Sequence, residues 1–99
     1  MPDTSFSYRS AFALAREIRA QKRTSVATLQ TMLERISTLN PGLNVVVALD
    51  EERALQRARE ADKAAADGVD WGPLHGVPLT IKDAWCTEGL RTTGGIPER

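Results

Sequence analysis

The sequence has no excess charge of either sign and no long hydrophobic run. Thirteen basic residues balance thirteen acidic ones over 99 positions, whereas nucleic acids and anionic membranes select for a basic excess. No run of eighteen apolar residues occurs, so no transmembrane helix is expected. The first nine residues are polar and lack the hydrophobic stretch of a signal peptide. We therefore expect neither nucleic acid nor a membrane as a main partner.

Cysteine and histidine occur once each, and this scarcity argues against disulfide formation, a thiol nucleophile and metal binding. Cys86 alone cannot form an internal disulfide, so a cytoplasmic location is the default. No histidine is placed to activate Cys86, which favours a buried bystander over a thiol nucleophile. His75 has no cysteine or carboxylate at ligand spacing, so no metal site is expected. We interpret His75 as a turn residue near the entrance of a site.

The length and composition fit one small globular domain. Hydrophobic residues make up 41% of the sequence and charged residues 26%, which is ordinary for soluble proteins. We expect a single domain over residues 1–99 with no internal boundary. The last four residues, Ile96–Arg99, resemble a loop and add no closing helix or strand. We therefore expect the sequence to be the N-terminal part of a larger enzyme.

Apolar residues recur at helical spacing in two consecutive segments. Ser10 is the candidate N-cap of a first helix, which fades near residues 21–23. Ser25 is the candidate N-cap of a second helix. Asn40-Pro41-Gly42 should end it, because proline disfavours a helical conformation in the residue before it. Two short helices joined by a tight polar link predict an αα-hairpin.

The next segments predict a strand, a third helix and a second strand. Leu43–Leu49 contains three consecutive valines, which is typical of a strand covered on both faces. Asp50 should cap the alanine-rich third helix, and Gly68 suits the left-handed position beyond its end. Val77–Ile81 is the second predicted strand. Strand, helix and strand favour a parallel crossover. The predicted class is therefore α/β: a helical hairpin followed by a βαβ unit of a larger mixed sheet.

The most specific pattern begins at the second predicted strand, whose exit carries a lysine. Gly76-Val77-Pro78 is followed by Ile81-Lys82-Asp83, and then by Gly89 and Thr92-Thr93. Strand ends of this kind are where open α/β sheets build active sites. The ordered set, within the run from Gly72 to Gly95, closely resembles the amidase signature family of serine hydrolases. The resemblance implies that the chain is the N-terminal part of the amidase-signature fold.

The resemblance also implies a Ser–cisSer–Lys mechanism, in which a carboxylic amide is hydrolysed to a carboxylate and ammonia or an amine. The family's lysine falls on Lys82, which is the candidate catalytic residue, and both serines are expected after Arg99. A neutral amine can act as general base and then as general acid. Burial among apolar residues would lower the pKa of Lys82 and favour that neutral form. No metal or organic cofactor is implied, and the 99 residues alone are expected to be inactive.

Candidate substrate-binding residues follow the lysine. Trp85 is a candidate hydrophobic wall beside the substrate, with core packing as the alternative. Thr93 and Gly94 lie in a loop whose glycines allow close backbone approach to the catalytic centre. Asp83 would point away from Lys82 on a strand, so we expect it to bond loop amides instead. The expected substrate is a small-molecule amide, and a homodimer is one candidate state of the full-length enzyme.

Two alternative functions stay open. One is the A subunit of glutamyl-tRNA amidotransferase, which works with partner subunits on a tRNA-bound substrate. Three sites depart from the usual pattern of that protein and favour a general bacterial-type amidase: His75, Ala84 and Gly94-Gly95. The other alternative is a truncated, non-catalytic protein that serves as a binding or structural module.

Overall fold

Three helices form the regular secondary structure where the chain is described. The computed structural model describes residues 9–44, 46 and 48–80. Helix α1 spans Ala11–Arg19, α2 spans Ser25–Leu43 and α3 spans Glu51–Ala66. Both α1 and α2 pack mainly on α3, which therefore lies between them. None of these three helices is long and apolar enough to cross a membrane.

The first predicted helix is confirmed, together with its cap. Ser10 has an extended backbone, and its hydroxyl accepts a hydrogen bond from the Ala13 N–H at 3.1 Å. This bond satisfies one of the amides that a helix N-terminus leaves without an intrahelical partner. The stripe of apolar residues faces the core, and its buried members are Leu14, Ala15 and Ile18.

The start of α2 differs from the prediction by one residue. Thr24 is the N-cap, because its hydroxyl accepts a hydrogen bond from the Ala27 N–H at 3.0 Å. Ser25 is instead the first helical residue, and its hydroxyl donates to the carbonyl oxygen of Gly76 at 2.6 Å. Thr24 and Ser25 both carry a hydroxyl that can cap a helix. Thr24 caps α2, whereas the Ser25 hydroxyl bonds Gly76, which is distant in sequence.

The end of α2 also differs from the prediction. The helix continues past Pro41 and ends at Leu43. Asn44 then adopts a left-handed conformation, with φ of 51°, and its N–H donates to the Asn40 carbonyl oxygen at 2.6 Å. The left-handed residue and its hydrogen bond close the helix shortly after the proline. Proline is therefore accommodated in the last turn, and the predicted stop at this position is wrong.

Helix α3 begins and ends as predicted. The Asp50 side chain accepts a hydrogen bond from the Arg53 amide at 3.1 Å. At the other end Gly68 has φ of 74°, which glycine adopts without strain. The Gly68 N–H donates to the Ala65 carbonyl oxygen and the Val69 N–H donates to the Ala64 carbonyl oxygen, at 3.2 and 2.8 Å. This pair of bonds is a Schellman motif, which satisfies carbonyls at the helix end.

The buried face of α3 consists of alanine, and its members are Ala58, Ala61, Ala64 and Ala65. The apolar spacing of the sequence predicts a buried side of Ala54, Leu55, Ala58, Ala61 and Ala65, of which Ala54 and Leu55 are only half-buried. A methyl side chain lets neighbouring backbones approach closely, but each methyl contributes only about 0.8 kcal/mol by burial. Hydrogen bonds that join α3 to its neighbours therefore carry more of the positioning than they would in a core of large side chains.

The predicted α/β class is wrong for the residues that the structure describes, which contain no strand. In the first predicted strand the Val46 N–H and carbonyl oxygen bond to the side chain of Asn40, at 2.8 and 3.0 Å. In the second, the Val77 N–H closes a turn onto the Leu74 carbonyl oxygen, and Pro78 has no N–H. These backbone groups make local bonds instead of a ladder, so no βαβ unit of a mixed sheet is present there.

Candidate functional site

The predicted site residues lie outside the described part of the chain. Lys82, Trp85, Thr93 and Gly94 all follow Thr80, which is the last described residue. The structure does describe the segment that leads directly to the lysine. This segment, Gly72–Val77, forms a turn that is bonded to all three helices, and we call it the anchored turn.

His75 joins the anchored turn to α3. Its side chain is almost completely buried, with 2% of the residue exposed. Nδ1 accepts a hydrogen bond from the Trp71 N–H at 3.0 Å, and Nε2 lies 2.8 Å from the Ala61 carbonyl oxygen. The first bond needs Nδ1 without a proton and the second needs Nε2 with one, which assigns the neutral tautomer. His75 is a turn residue, as expected, and both of its ring nitrogens are occupied by backbone groups.

Gly76 is pressed against α1 and the start of α2. Its φ is 72°, and a Cβ atom there would lie 2.9 Å from Cγ2 of Ile18 and 3.1 Å from Cβ of Ser25. Its carbonyl oxygen accepts the hydrogen bond from the Ser25 hydroxyl at 2.6 Å. Only glycine fits both the backbone conformation and the space.

Ser25 is in turn held by α3. The carboxylate of Asp62 accepts hydrogen bonds from the Ser25 N–H at 2.6 Å and the Val26 N–H at 3.0 Å. These amides are the first two of α2, where the helix dipole also favours a negative charge. One carboxylate on α3 therefore fixes the end of α2 that contacts the anchored turn.

Arg19 fixes the first residue of the anchored turn. Its Nη1 donates to the Gly72 carbonyl oxygen at 2.6 Å, and its Nε lies 3.8 Å from Oδ1 of Asp70. The same aspartate oxygen accepts a hydrogen bond from the Gly72 N–H at 2.7 Å. Gly72 is thus held on its carbonyl side by Arg19 of α1 and on its amide side by Asp70, which lies between α3 and the anchored turn.

Trp71 covers the outer side of His75. The two rings stack with centroids 5.1 Å apart and planes inclined by 25°. The Arg57 guanidinium lies over the Trp71 ring, 4.1 Å from its centroid, and also donates a hydrogen bond to Glu60 at 2.8 Å. Trp71 is partly exposed and contacts both an arginine and a histidine.

The cluster contains a serine, a histidine and an aspartate, but it is not a Ser-His-Asp triad. In such a triad the histidine bonds the serine hydroxyl on one side and the carboxylate on the other. Here both nitrogens of His75 bond backbone groups, Ser25 donates to a carbonyl, and Asp62 accepts from amides. No buried side-chain nitrogen or oxygen in the described residues lacks a partner. The arrangement holds a backbone in place and leaves no group free to react.

An open groove runs beside the anchored turn. It lies between α1 and residues 70–73, and its lining residues are Phe12, Arg16, Arg19, Asp70, Gly72 and Pro73. The groove is open to solvent, so it cannot exclude water from a reaction as an enclosed active site does.

Sequence reasoning missed the two residues that bond the start of α2 to its neighbours. Ser25 is predicted from the sequence to cap a helix, and that role would use its hydroxyl in a local hydrogen bond. Asp62 falls on the same stripe of α3 as Ala58, Ala61 and Ala65. A carboxylate within an apolar stripe needs a partner, because burying a charge without one is costly. That signal could have identified Asp62 from the sequence, although it does not specify the partner.

The sequence model of the Amidase family matches residues 27–98. The matched range covers most of the chain and includes the anchored turn and Lys82. The chain belongs to the amidase family, which confirms the resemblance seen in the motif.

The curated relatives carry two kinds of name. The chain is 44% identical over 82 residues to the A subunit of glutamyl-tRNA(Gln) amidotransferase from Dechloromonas aromatica, covering 83% of this chain and 17% of that protein. It is 40% identical over 81 residues to the corresponding protein of a Synechococcus species, covering 82% and 16%. It is 32% identical over 96 residues to an acylamidase of Rhodococcus erythropolis, covering 97% and 20%.

The chain spans only about a sixth to a fifth of the length of these relatives. No solved structure matches the chain.

Proposed function

We propose that this chain supplies the lysine of an amidase-type hydrolase, which cleaves a carboxylic amide to a carboxylate and ammonia or an amine. The observation that carries the proposal is the family match over residues 27–98. That range contains Lys82 within the ordered motif from Gly76 to Thr93. Membership supports amide hydrolysis as the reaction class, and the motif supports Lys82 as the residue that moves the proton.

The proposed mechanism is that of a Ser–cisSer–Lys triad. Neutral Lys82 takes a proton from the middle serine, which takes one from the nucleophilic serine as its oxygen attacks the amide carbonyl. The tetrahedral intermediate collapses as the amide C–N bond breaks and the leaving nitrogen receives the proton. Water then attacks the acyl-enzyme by the same proton path and releases the carboxylate. We place both serines in sequence that follows Arg99.

The test is the amidase activity of the gene product, including any residues that follow Arg99. Ammonia release from a short aliphatic amide and an arylamide is measured for the wild type, Lys82→Ala and Lys63→Ala. We expect Lys82→Ala to lower kcat by about 10²–10⁴-fold, the usual range for a lost acid–base group. Lys63 lies on the exposed face of α3, so its variant should keep wild-type turnover. Normal turnover of Lys82→Ala would overturn the proposal.

A second assay addresses the 99 residues by themselves. We propose that they are inactive, since the serines of the mechanism lie elsewhere. The purified chain should release no ammonia above the rate of the buffer. Hydrolysis that Lys82→Ala abolishes would contradict this part of the proposal.

The second candidate is the amidotransferase A subunit, which the relatives at 40% and 44% identity favour. The departures at His75, Ala84 and Gly94-Gly95 favour the general amidase. The two candidates are distinguished by purifying the tagged gene product from the organism that encodes it. A general amidase hydrolyses simple amides as a single protein. An A subunit instead co-purifies with partner subunits and needs them to amidate tRNA-bound glutamate.

The remaining parts of the proposal concern substrate and surroundings. We propose that Trp85, Thr93 and Gly94 contact a small-molecule amide. We also propose that the enzyme is cytoplasmic, with a homodimer as its candidate oligomeric state. Neither nucleic acid nor a membrane is required. Trp85→Ala should raise KM for an arylamide more than for acetamide, because the larger substrate loses a stacking surface. Equal changes for the two substrates would remove Trp85 from the substrate contacts.

A further inference from the structure

One short hydrogen bond between the helices and the anchored turn is made by a hydroxyl. Ser25 donates to the Gly76 carbonyl oxygen at 2.6 Å across 51 residues of sequence. Ser25 is buried, with 3% of the residue exposed, so water does not compete for this bond. A buried hydrogen bond whose donor is removed leaves its acceptor unsatisfied, which costs more than the bond itself contributes.

The Ser25–Gly76 contact has little freedom to shift. On the turn side, Gly76 lies so close to Ile18 and Ser25 that it has no space for a methyl group. On the helix side, Asp62 holds the Ser25 and Val26 amides at 2.6 and 3.0 Å. The carbonyl of Gly76 is therefore fixed relative to all three helices at once.

Gly76 is also close in sequence to the lysine. Five residues separate Gly76 from Lys82, and the six extended steps between them span at most about 22 Å. Pro78 lies within this interval, and its ring fixes φ near −65°, which removes one of the soft torsions. A connection this short limits how far Lys82 can lie from the fixed carbonyl of Gly76.

We propose that Ser25 is a positioning residue, whose hydroxyl sets the start of the segment that carries Lys82. The catalytic consequence rests on the proposed function, whereas the conformational consequence does not. Without the hydroxyl, we expect the turn to shift relative to the helices, and in the proposed mechanism such a shift would move the amine away from the serine that it deprotonates. A misplacement of about 1 Å can cost about 10²-fold in rate.

The matched control is the neighbouring hydroxyl. Thr24 caps the same helix through the Ala27 amide, and no hydrogen bond links its side chain to the described anchored turn. Thr24→Ala removes a hydroxyl and weakens α2 without touching Gly76. The difference between Ser25→Ala and Thr24→Ala isolates the bond to the turn from the general loss of helix stability.

The first measurement is hydrogen exchange on the 99-residue chain. We compare the exchange of amides between Val77 and Lys82 with the exchange of amides in α3. Ser25→Ala should raise exchange in the Val77–Lys82 segment by about tenfold relative to α3, as loss of a buried bond favours local opening. Thr24→Ala should leave that ratio at its wild-type value. If Ser25→Ala does not fold, Ser25→Cys keeps a weak donor and should give an intermediate ratio.

The second measurement is the kinetics of the gene product that includes any residues after Arg99. Ser25→Ala should lower kcat by about tenfold or more while KM changes by less than about twofold, because the proton path is displaced and substrate contacts are not. Thr24→Ala should keep both constants. Equal effects of the two variants on the exchange ratio, or on kcat, would overturn the proposal.

The two measurements separate this proposal from the proposed function. If the wild-type gene product hydrolyses no amide but the exchange ratio still depends on Ser25, amidase function fails and the positioning of the segment by Ser25 stands. If the gene product is an active amidase and the ratio does not change, amidase function stands and the positioning proposal fails.

Discussion

The two ends of α2 differ in burial and in the hydrogen bonds that hold them. At the N-terminal end, Ser25, Thr28 and Leu29 are buried. The first two amides of the helix donate hydrogen bonds to the Asp62 carboxylate of α3. At the C-terminal end Leu39 and Leu43 are 48% and 66% exposed, and the bonds of Asn40 are to nearby backbone. One end is fixed by tertiary contacts and the other by its own sequence.

The difference shows which end of α2 is held by contacts with the rest of the described structure. The end of α2 that is fixed by tertiary contacts is the end that touches the anchored turn, and the turn leads to the motif of the amidase family. A change near Ser25 should therefore affect the turn, whereas a change near Asn40 should stay local. The free energy of unfolding, measured by urea denaturation of the 99-residue chain with circular dichroism, tests this contrast.

The largest contrast is expected between two glycines. Gly76→Ala should lower the free energy of unfolding by about 2–5 kcal/mol, because it combines a left-handed backbone with overpacking against Ile18. Gly42→Ala, in the last turn of α2 with open space around it, should instead raise the stability by about 0.5–1 kcal/mol. Similar effects at both sites would mean that the two ends of α2 are equally constrained.

A second contrast lies within the anchored turn. His75→Ala should cost about 2–3 kcal/mol, since it removes a buried ring and both of its hydrogen bonds. Leu74→Ala, at an exposed neighbour, should cost less than about 0.5 kcal/mol. A small effect of His75→Ala would show that the turn does not depend on its bond to α3.

A third contrast compares two acidic residues of α3. Asp62→Asn should cost about 2 kcal/mol, because an amide side chain cannot accept from both N–H groups and has no charge to favour the helix N-terminus. Glu60→Gln disrupts only an exposed pair with Arg57 and should cost less than about 0.5 kcal/mol. Equal costs would contradict the role assigned to the carboxylate on α3.

The smallest effect is expected at the C-terminal end of α2. Asn40→Ala removes the two hydrogen bonds to Val46 and should cost about 1 kcal/mol. Ser37→Ala, at an exposed position of the same helix, measures the gain in helix propensity alone and serves as the reference. Hydrogen exchange in the anchored turn should be unchanged in both variants. A faster exchange there would show that the two ends of α2 are coupled.

Local signals in the sequence predicted the helices well. Ser10, Asp50 and Gly68 act at the helix ends as expected, because capping depends on bonds within a few residues. The apolar spacing of α3 correctly predicted that Ala58, Ala61 and Ala65 are buried. The end of α2 was predicted wrongly, since a proline weakens a helix by an amount that other bonds of the last turn can offset.

Among the described residues, the predicted strands are absent for a different reason. Three consecutive valines favour an extended backbone, but a strand also requires a partner that sequence patterns do not supply. Val46 bonds the side chain of Asn40 instead. The cluster was missed because Ser25 and His75 each had an adequate local interpretation, as a cap and as a turn residue, and the carboxylate of Asp62 within the apolar stripe of α3 was not considered. The predicted site at Lys82, Trp85, Thr93 and Gly94 stays a prediction.

The amino-acid sequence alone determined the family, the three helices and most of their caps, because these depend on ordered motifs and on contacts between near neighbours. Only the tertiary structure decided that Ser25 bonds the anchored turn, that Asp62 holds Ser25, and that His75 links the turn to α3. Those bonds join positions that lie 51, 37 and 14 residues apart. Pairing across such distances depends on how the helices pack, and local patterns carry no information about it.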